Sequence, residues 1–193
     1  EGMTYFILIQ SPDTAYGGDV GLTITEFEVA ENDVCSGSIV LSPNNNDTIV
    51  VSTSESFPDV NSVCSYNYYP NAPGTWYQME GNGKAISISS CSSLTKVPTA
   101  ISVMSGSCDA LSCVSEGIPD YNCQATMASS VVFLTEEGMT YFILIQSPDT
   151  GYGGDVGLTI TEFEVAENDA CSGSIVLSPS NNDTIVVSTA ESL

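Results

Sequence analysis

The first 56 residues of this chain return almost unchanged 136 positions later, as residues 137–192. Glu1-Gly2-Met3-Thr4-Tyr5-Phe6-Ile7-Leu8-Ile9-Gln10 reappears as Glu137-Gly138-Met139-Thr140-Tyr141-Phe142-Ile143-Leu144-Ile145-Gln146. Four of the 56 aligned pairs differ: Ala15/Gly151, Val34/Ala170, Asn44/Ser180 and Ser54/Ala190. Loop positions match as well as apolar ones, which preservation of a fold alone would not require. Such identity points to recent tandem duplication and to a long array of like modules. It favours the function of a polymer over that of an enzyme.

The repeat sets the expected domain plan. The acidic stretch Phe163-Glu164-Val165-Ala166-Glu167-Asn168-Asp169 and its copy Phe27 to Asp33 mark the boundary between modules. Residues 1–30 then form the C-terminal part of a preceding repeat, 31–166 one complete repeat, and 167–193 the N-terminal part of the following one. Half-modules expose strand edges and half a core, so neighbouring copies, in one chain or between chains, are the expected partners that complete them.

Charge narrows the partners further. The chain has 24 acidic residues against two lysines, Lys84 and Lys96, and neither arginine nor histidine, for a net charge of −22. A chain this acidic repels phosphate backbones and anionic lipid surfaces, so neither nucleic acid nor membrane is an expected partner. Without histidine it lacks the usual general base and the commonest zinc ligand. A carboxylate pair could still hydrolyse glycosides. Glu80, Glu116, Asp109 and Asp120 are the acids in the central region, and the reading preferred for them is solvated surface carboxylates. At 42% apolar residues the chain can build a core despite its charge, and no apolar stretch has the length of a membrane span.

One period holds six cysteines, Cys35, Cys64, Cys91, Cys108, Cys113 and Cys123. An even count without histidine or a CxxC pair reads as disulfides in an oxidising, extracellular compartment. Spacing alone leaves 15 pairings open, although Cys108 and Cys113 are close enough for a hairpin-type link. Cys171 is the repeat copy of Cys35.

Short β-prone runs alternate with turn formers. Strands are expected at Ser38–Ser42, Thr48–Thr53, Thr75–Glu80, Ala85–Ser89, Ala100–Ser105, Ser130–Thr135, Thr140–Gln146 and Val156–Phe163. Gly81-Asn82-Gly83 is a three-residue hairpin signal. Ala85-Ile86-Ser87-Ile88-Ser89 alternates as a half-exposed strand should. Tyr141-Phe142-Ile143-Leu144-Ile145 is apolar on both faces, as in a central strand. About eight strands and no capped amphipathic helix predict an all-β, disulfide-braced β-sandwich in tandem repeats of period 136.

Several stretches resemble the bacterial pre-peptidase C-terminal domain. They are Asn32-Asp33-Val34-Cys35-Ser36-Gly37-Ser38-Ile39, Ala72-Pro73-Gly74-Thr75-Trp76-Tyr77, Ile86-Ser87-Ile88-Ser89-Ser90-Cys91, Ile101-Ser102-Val103-Met104-Ser105-Gly106-Ser107-Cys108 and Gly138-Met139-Thr140-Tyr141-Phe142-Ile143-Leu144-Ile145. The resemblance spans the whole period. It implies a jelly-roll-like sandwich, often a non-catalytic module of secreted proteins, with pairings Cys35–Cys64, Cys91–Cys123 and Cys108–Cys113. Where relatives carry an Asp and an acidic cluster, this chain has Pro98 and Ile118-Pro119-Asp120-Tyr121-Asn122-Cys123, a departure that argues against a calcium site there.

Other candidates rest on residue type. Calcium, a hard cation that takes oxygen ligands, could be held near the boundary by Asp13, Asp19, Glu31 and Asp33, though a solvated acidic linker explains them as well. Tyr66, Tyr68 and Tyr69 could stack on glycans, contact a neighbouring module or simply pack across the sandwich edge, and a packing or inter-subunit role is preferred to a sugar site. Trp76 is expected in the core. Asn46 and Asn182 head Asn-Asp-Thr glycosylation sequons on a turn, usable in a eukaryotic source. Two functions remain: a structural subunit of an extracellular fibre or surface appendage, and an adhesin or accessory module that binds polysaccharide or matrix.

Overall fold

The computed structural model describes residues 4, 6–10, 18–25, 28–43, 47–58, 63–64, 72–120, 123, 128–148 and 153–165. Among these residues ten strands follow one 3-10 turn at Cys35–Gly37: β1 (Ile39–Val40), β2 (Thr48–Ser52), β3 (Gly74–Glu80), β4 (Ala85–Ser89), β5 (Ala100–Ser107), β6 (Ala110–Glu116), β7 (Ile118–Pro119), β8 (Ser129–Leu134), β9 (Thr140–Gln146) and β10 (Asp155–Phe163). They form two five-stranded sheets, in the orders β1-β3-β9-β5-β6 and β2-β10-β4-β8-β7. All pairings are antiparallel except the short β1–β3 edge. The protein is an all-β sandwich braced by three disulfides.

Period-2 alternation places the core. From the first sheet Tyr77, Met79, Ile101, Val103, Tyr141, Ile143 and Ile145 meet Ile86, Ile88, Val131, Phe133, Val156, Leu158 and Ile160 of the second. Several intervening residues of the first sheet are apolar too, although Gln78 and Ser102 are not. Trp76, Met104, Phe142 and Leu144 are buried on its other face, beneath Cys64, Cys35, Cys108 and Leu111. This second layer explains why Tyr141–Ile145 is apolar on both faces. β9 lies between β3 and β5, with Trp76 opposite Leu144 and Val103 opposite Ile143.

The structure corrects the expected pairing of four cysteines. Cys35 is bonded to Cys108 and Cys64 to Cys113, whereas Cys91 is bonded to Cys123. The expected hairpin link Cys108–Cys113 fails because Ala110–Glu116 is itself a strand that the sequence reading missed. Cys108 sits in the turn beyond the Ser107–Ala110 pair, while Cys113 lies opposite Met104, three ladder steps further on. That is about 10 Å along the ladder, beyond the Cα separation a disulfide tolerates. The two bonds instead tie the segments containing Cys35 and Cys64 across the outer face of the first sheet, sealing the layer around Trp76.

β6 and β7 raise the strand number from the expected eight to ten. β6, Ala110-Leu111-Ser112-Cys113-Val114-Ser115-Glu116, is an edge strand with no fully buried residue, so its apolar signal is weak. The hairpin expected at Gly81-Asn82-Gly83 does not form: β3 pairs with β1 and β9 in the first sheet and β4 with β10 and β8 in the second, so these residues carry the chain from one sheet to the other. Within that connection Gly83 adopts φ 81°, a left-handed conformation suited to glycine. No helix among the described residues is long and apolar enough to cross a membrane.

Candidate module junction

The residues just before the sandwich are held against it. Ala30 N–H donates to the Glu55 carbonyl (3.1 Å), and Asp33 N–H donates back to Ala30 (3.1 Å). Asn32 is buried and exchanges two bonds with Trp76. Its Nδ2 donates to the Trp76 carbonyl (3.0 Å), and Trp76 N–H donates to the Asn32 carbonyl (2.8 Å). Asn32 thereby continues the free edge of β3 before β1 takes over at Tyr77. The Asp33 carboxylate accepts from Phe57 N–H (2.6 Å). Cys35 is then fixed covalently to Cys108. The loop is so tight that a Cβ at Gly37 would lie 2.1 Å from the Glu31 carbonyl oxygen.

The opposite end carries the chain out. Phe163, the last ladder residue of β10, pairs with Ala85. Beside it the Lys84 ammonium contacts Glu162 (2.8 Å) and Glu164 (3.1 Å), and Asn82 Nδ2 donates to Glu162 (2.8 Å). Hydrogen bonding to Glu162 and then Glu164 raises Lys84 above its ordinary value, and hydrogen bonding from Lys84 and then Asn82 lowers Glu162 below its own. These groups are solvent-exposed, so the pairing orients the segment more than it stabilises the fold.

Entry and exit lie at opposite ends of the sandwich. β10 begins where Asp155 pairs with Ser52 and Thr53 N–H donates to the Gly154 carbonyl (3.0 Å), close to Glu55 and therefore to Ala30. It ends at Phe163, eight residues along, a run of about 26 Å.

Three of the calcium candidates can be placed. Glu31 and Asp33 share the entry loop, where the Asp33 carboxylate is committed to Phe57, and Asp19 is exposed. Among the described residues Asp19, Glu31 and Asp33 form no three-ligand cluster. The group that does cluster, Cys64, Cys113 and Glu116, has its two sulfurs in a disulfide. Asp13, Asn46, Asn182, Cys171 and the Tyr66, Tyr68, Tyr69 cluster lie outside the described residues. Trp76 is fully buried, as expected. A groove of about 450 Å³ between β1 and β2 is lined by Ile39, Leu41, Ile49, Val51 and Tyr77 and flanked by Asn32 and Glu55. The sequence reading missed the Asn32–Trp76 exchange and the Lys84–Glu162 pair. Only the scarcity of lysine singled Lys84 out.

No family model matches the sequence, and no curated protein matches it. Among solved structures the chain is similar to the pre-peptidase C-terminal domain of a collagenase from Bacillus anthracis, at 15% identity, over 64% of this chain and 94% of that one, with a TM-score of 0.41.

Proposed function

We propose that the chain is a stretch of an extracellular fibre or surface appendage, a tandem array of disulfide-braced sandwiches with a structural role and no catalytic one. The observation that carries this reading is the placement of entry and exit at opposite ends of β10, combined with a near-verbatim repeat across that boundary. A repeat that enters at one end and leaves at the other extends linearly. The disulfides fit an oxidising environment outside the cell. Residues 31–166 carry 15 acids and two lysines, a net charge of −13 per period, which keeps such arrays apart in solution. The test is electron microscopy of the native material. Linear particles with an axial repeat on the order of 30–40 Å, the strand run plus the connector, support the reading. Dispersed single modules overturn it and turn attention to binding of polysaccharide or matrix.

A further inference from the structure

The junction admits little freedom. Ala30, the repeat copy of Ala166, is hydrogen-bonded to the module it enters, and Phe163 is the last laddered residue of the module being left. Two residues lie between these anchors, and the first, Glu164, is ion-paired to Lys84. Three Cα steps span at most about 11 Å, so the anchored ends of successive modules are no further apart than packed side chains. We propose that successive sandwiches abut end to end in a fixed orientation, the exit face of one packed on the entry face of the next copy. The proposal rests on the array reading above.

Three features suit these faces to each other. The entry side carries exposed apolar residues, Val34 and Phe57, at 54% and 47% exposure, and an abutting copy would remove them from water. Both faces are acidic, yet the two lysines of each period lie at its two ends. Lys84 stands at the exit. Lys96 stands at the start of β10, where its backbone N–H donates to the Asp155 carbonyl (2.8 Å) and its exposed ammonium to the Ser93 carbonyl (2.7 Å). No carboxylate of its own module is paired to it among the described residues. Abutment brings each lysine toward the neighbour's carboxylates, which offsets like-charge repulsion. The entry segment is also stiff, because the Asn32–Trp76 exchange and the Cys35–Cys108 bond fix it within five residues of Ala30. Exposure alone would leave the occupant open. Covalent continuity makes the next copy of this chain the one partner always within reach.

The experiment images the native array by cryo-electron microscopy and aligns particles on one sandwich. The expected result is that the adjacent sandwich is resolved in one orientation. Inserting Gly-Ser-Gly between Val165 and Ala166 in each period should lengthen the spacing by up to about 10 Å and abolish that orientation. A Lys84→Met, Lys96→Met double variant, with fold checked by Trp76 fluorescence, should loosen it without changing connector length. Arrays in which the neighbour averages away in the unmodified protein overturn the inference and leave the array reading intact. So does an insertion that leaves the orientation unchanged. Isolated modules overturn the array reading itself.

Discussion

Asn32 and Trp76 exchange two hydrogen bonds across 44 residues of sequence, one through the Asn32 side chain and one through its backbone. The pair joins the boundary segment to the buried second layer, so this contact couples module entry to the core. Asn32→Ala removes a buried donor and should cost about 1–2 kcal/mol, lowering Tm by about 3–8 °C. Asn32→Asp, of the same size, sets an acceptor against a carbonyl oxygen and should cost more. Thermal unfolding followed by fluorescence of Trp76, the single tryptophan, measures both. Equal losses for the two variants would mean that only volume matters there.

The disulfide assignment is checked by peptide mapping under non-reducing conditions. Cleavage after Asp109 separates Cys108 from Cys113, so the two fragments should be found attached to Cys35 and Cys64 respectively. A direct Cys108–Cys113 link would contradict the β5–β6 ladder. Replacing Cys91 and Cys123 together by serine opens a link spanning 32 residues and should cost roughly 3–4 kcal/mol through the unfolded chain, measured by denaturant unfolding.

The two copies of one sequence show how much context decides. Phe142, Ile143, Leu144 and Ile145 lie on β9 and are buried at 8%, 0%, 0% and 0%. Their copies Phe6, Ile7, Leu8 and Ile9 lie outside any strand and are 93%, 68%, 78% and 51% exposed. The same holds for Val156, Leu158 and Ile160 against Val20, Leu22 and Ile24. Ile143→Ala should therefore cost about 2–5 kcal/mol. In the 193-residue chain by itself, Ile7→Ala should change stability by less than about 0.5 kcal/mol. In the proposed array, where residues 1–30 complete a preceding sandwich, it should cost as much as Ile143→Ala. Comparable losses in denaturant unfolding of the chain by itself would mean that the first copy is packed there as well.

That contrast also explains what could be read in advance. Eight strands and the core position of Trp76 follow from local alternation, which needs no partner to be visible. The turn at Gly81–Gly83 is legible too, but not that it crosses between the sheets in place of closing a hairpin, because β3 and β4 each find their partners far along the chain. The β6 edge has little apolar signal, and the rewired cysteines depend on its ladder. Asn32–Trp76 and Lys84–Glu162 join residues 44 and 78 apart, and no local pattern marks such pairs. The entry segment was flagged by its acids, but it is the amide of Asn32 that anchors it.

Gly153 offers a steric test of the β2–β10 end. A Cβ there would lie 2.2 Å from the Thr53 carbonyl oxygen and 2.6 Å from the Ser54 Cα, both backbone atoms. Gly153→Ala must push apart the strand ends that Gly154 N–H and Thr53 Oγ1 hold at 3.1 Å, at a cost of about 1–3 kcal/mol. Gly83→Ala keeps open space around its Cβ and bears only the positive φ, so its loss should be the smaller of the two in parallel thermal melts.

The Lys84–Glu162 pair makes a signed prediction about pH. Glu162 is held below its ordinary 4.5, so its contribution is present above that pH and fades as pH falls through the lowered value. Lys84 is held above its ordinary 10.5, so its contribution is present below that pH and fades as pH rises through the raised value. The stability difference between the native chain and Lys84→Met should therefore stay level between these two pH values and shrink beyond either. Because the pair is exposed, added salt should shrink it across the whole range. Chemical unfolding at several pH values reads this out. A difference that persists far into acid would mean that Lys84 acts through the packing of its aliphatic stem and not through its charge.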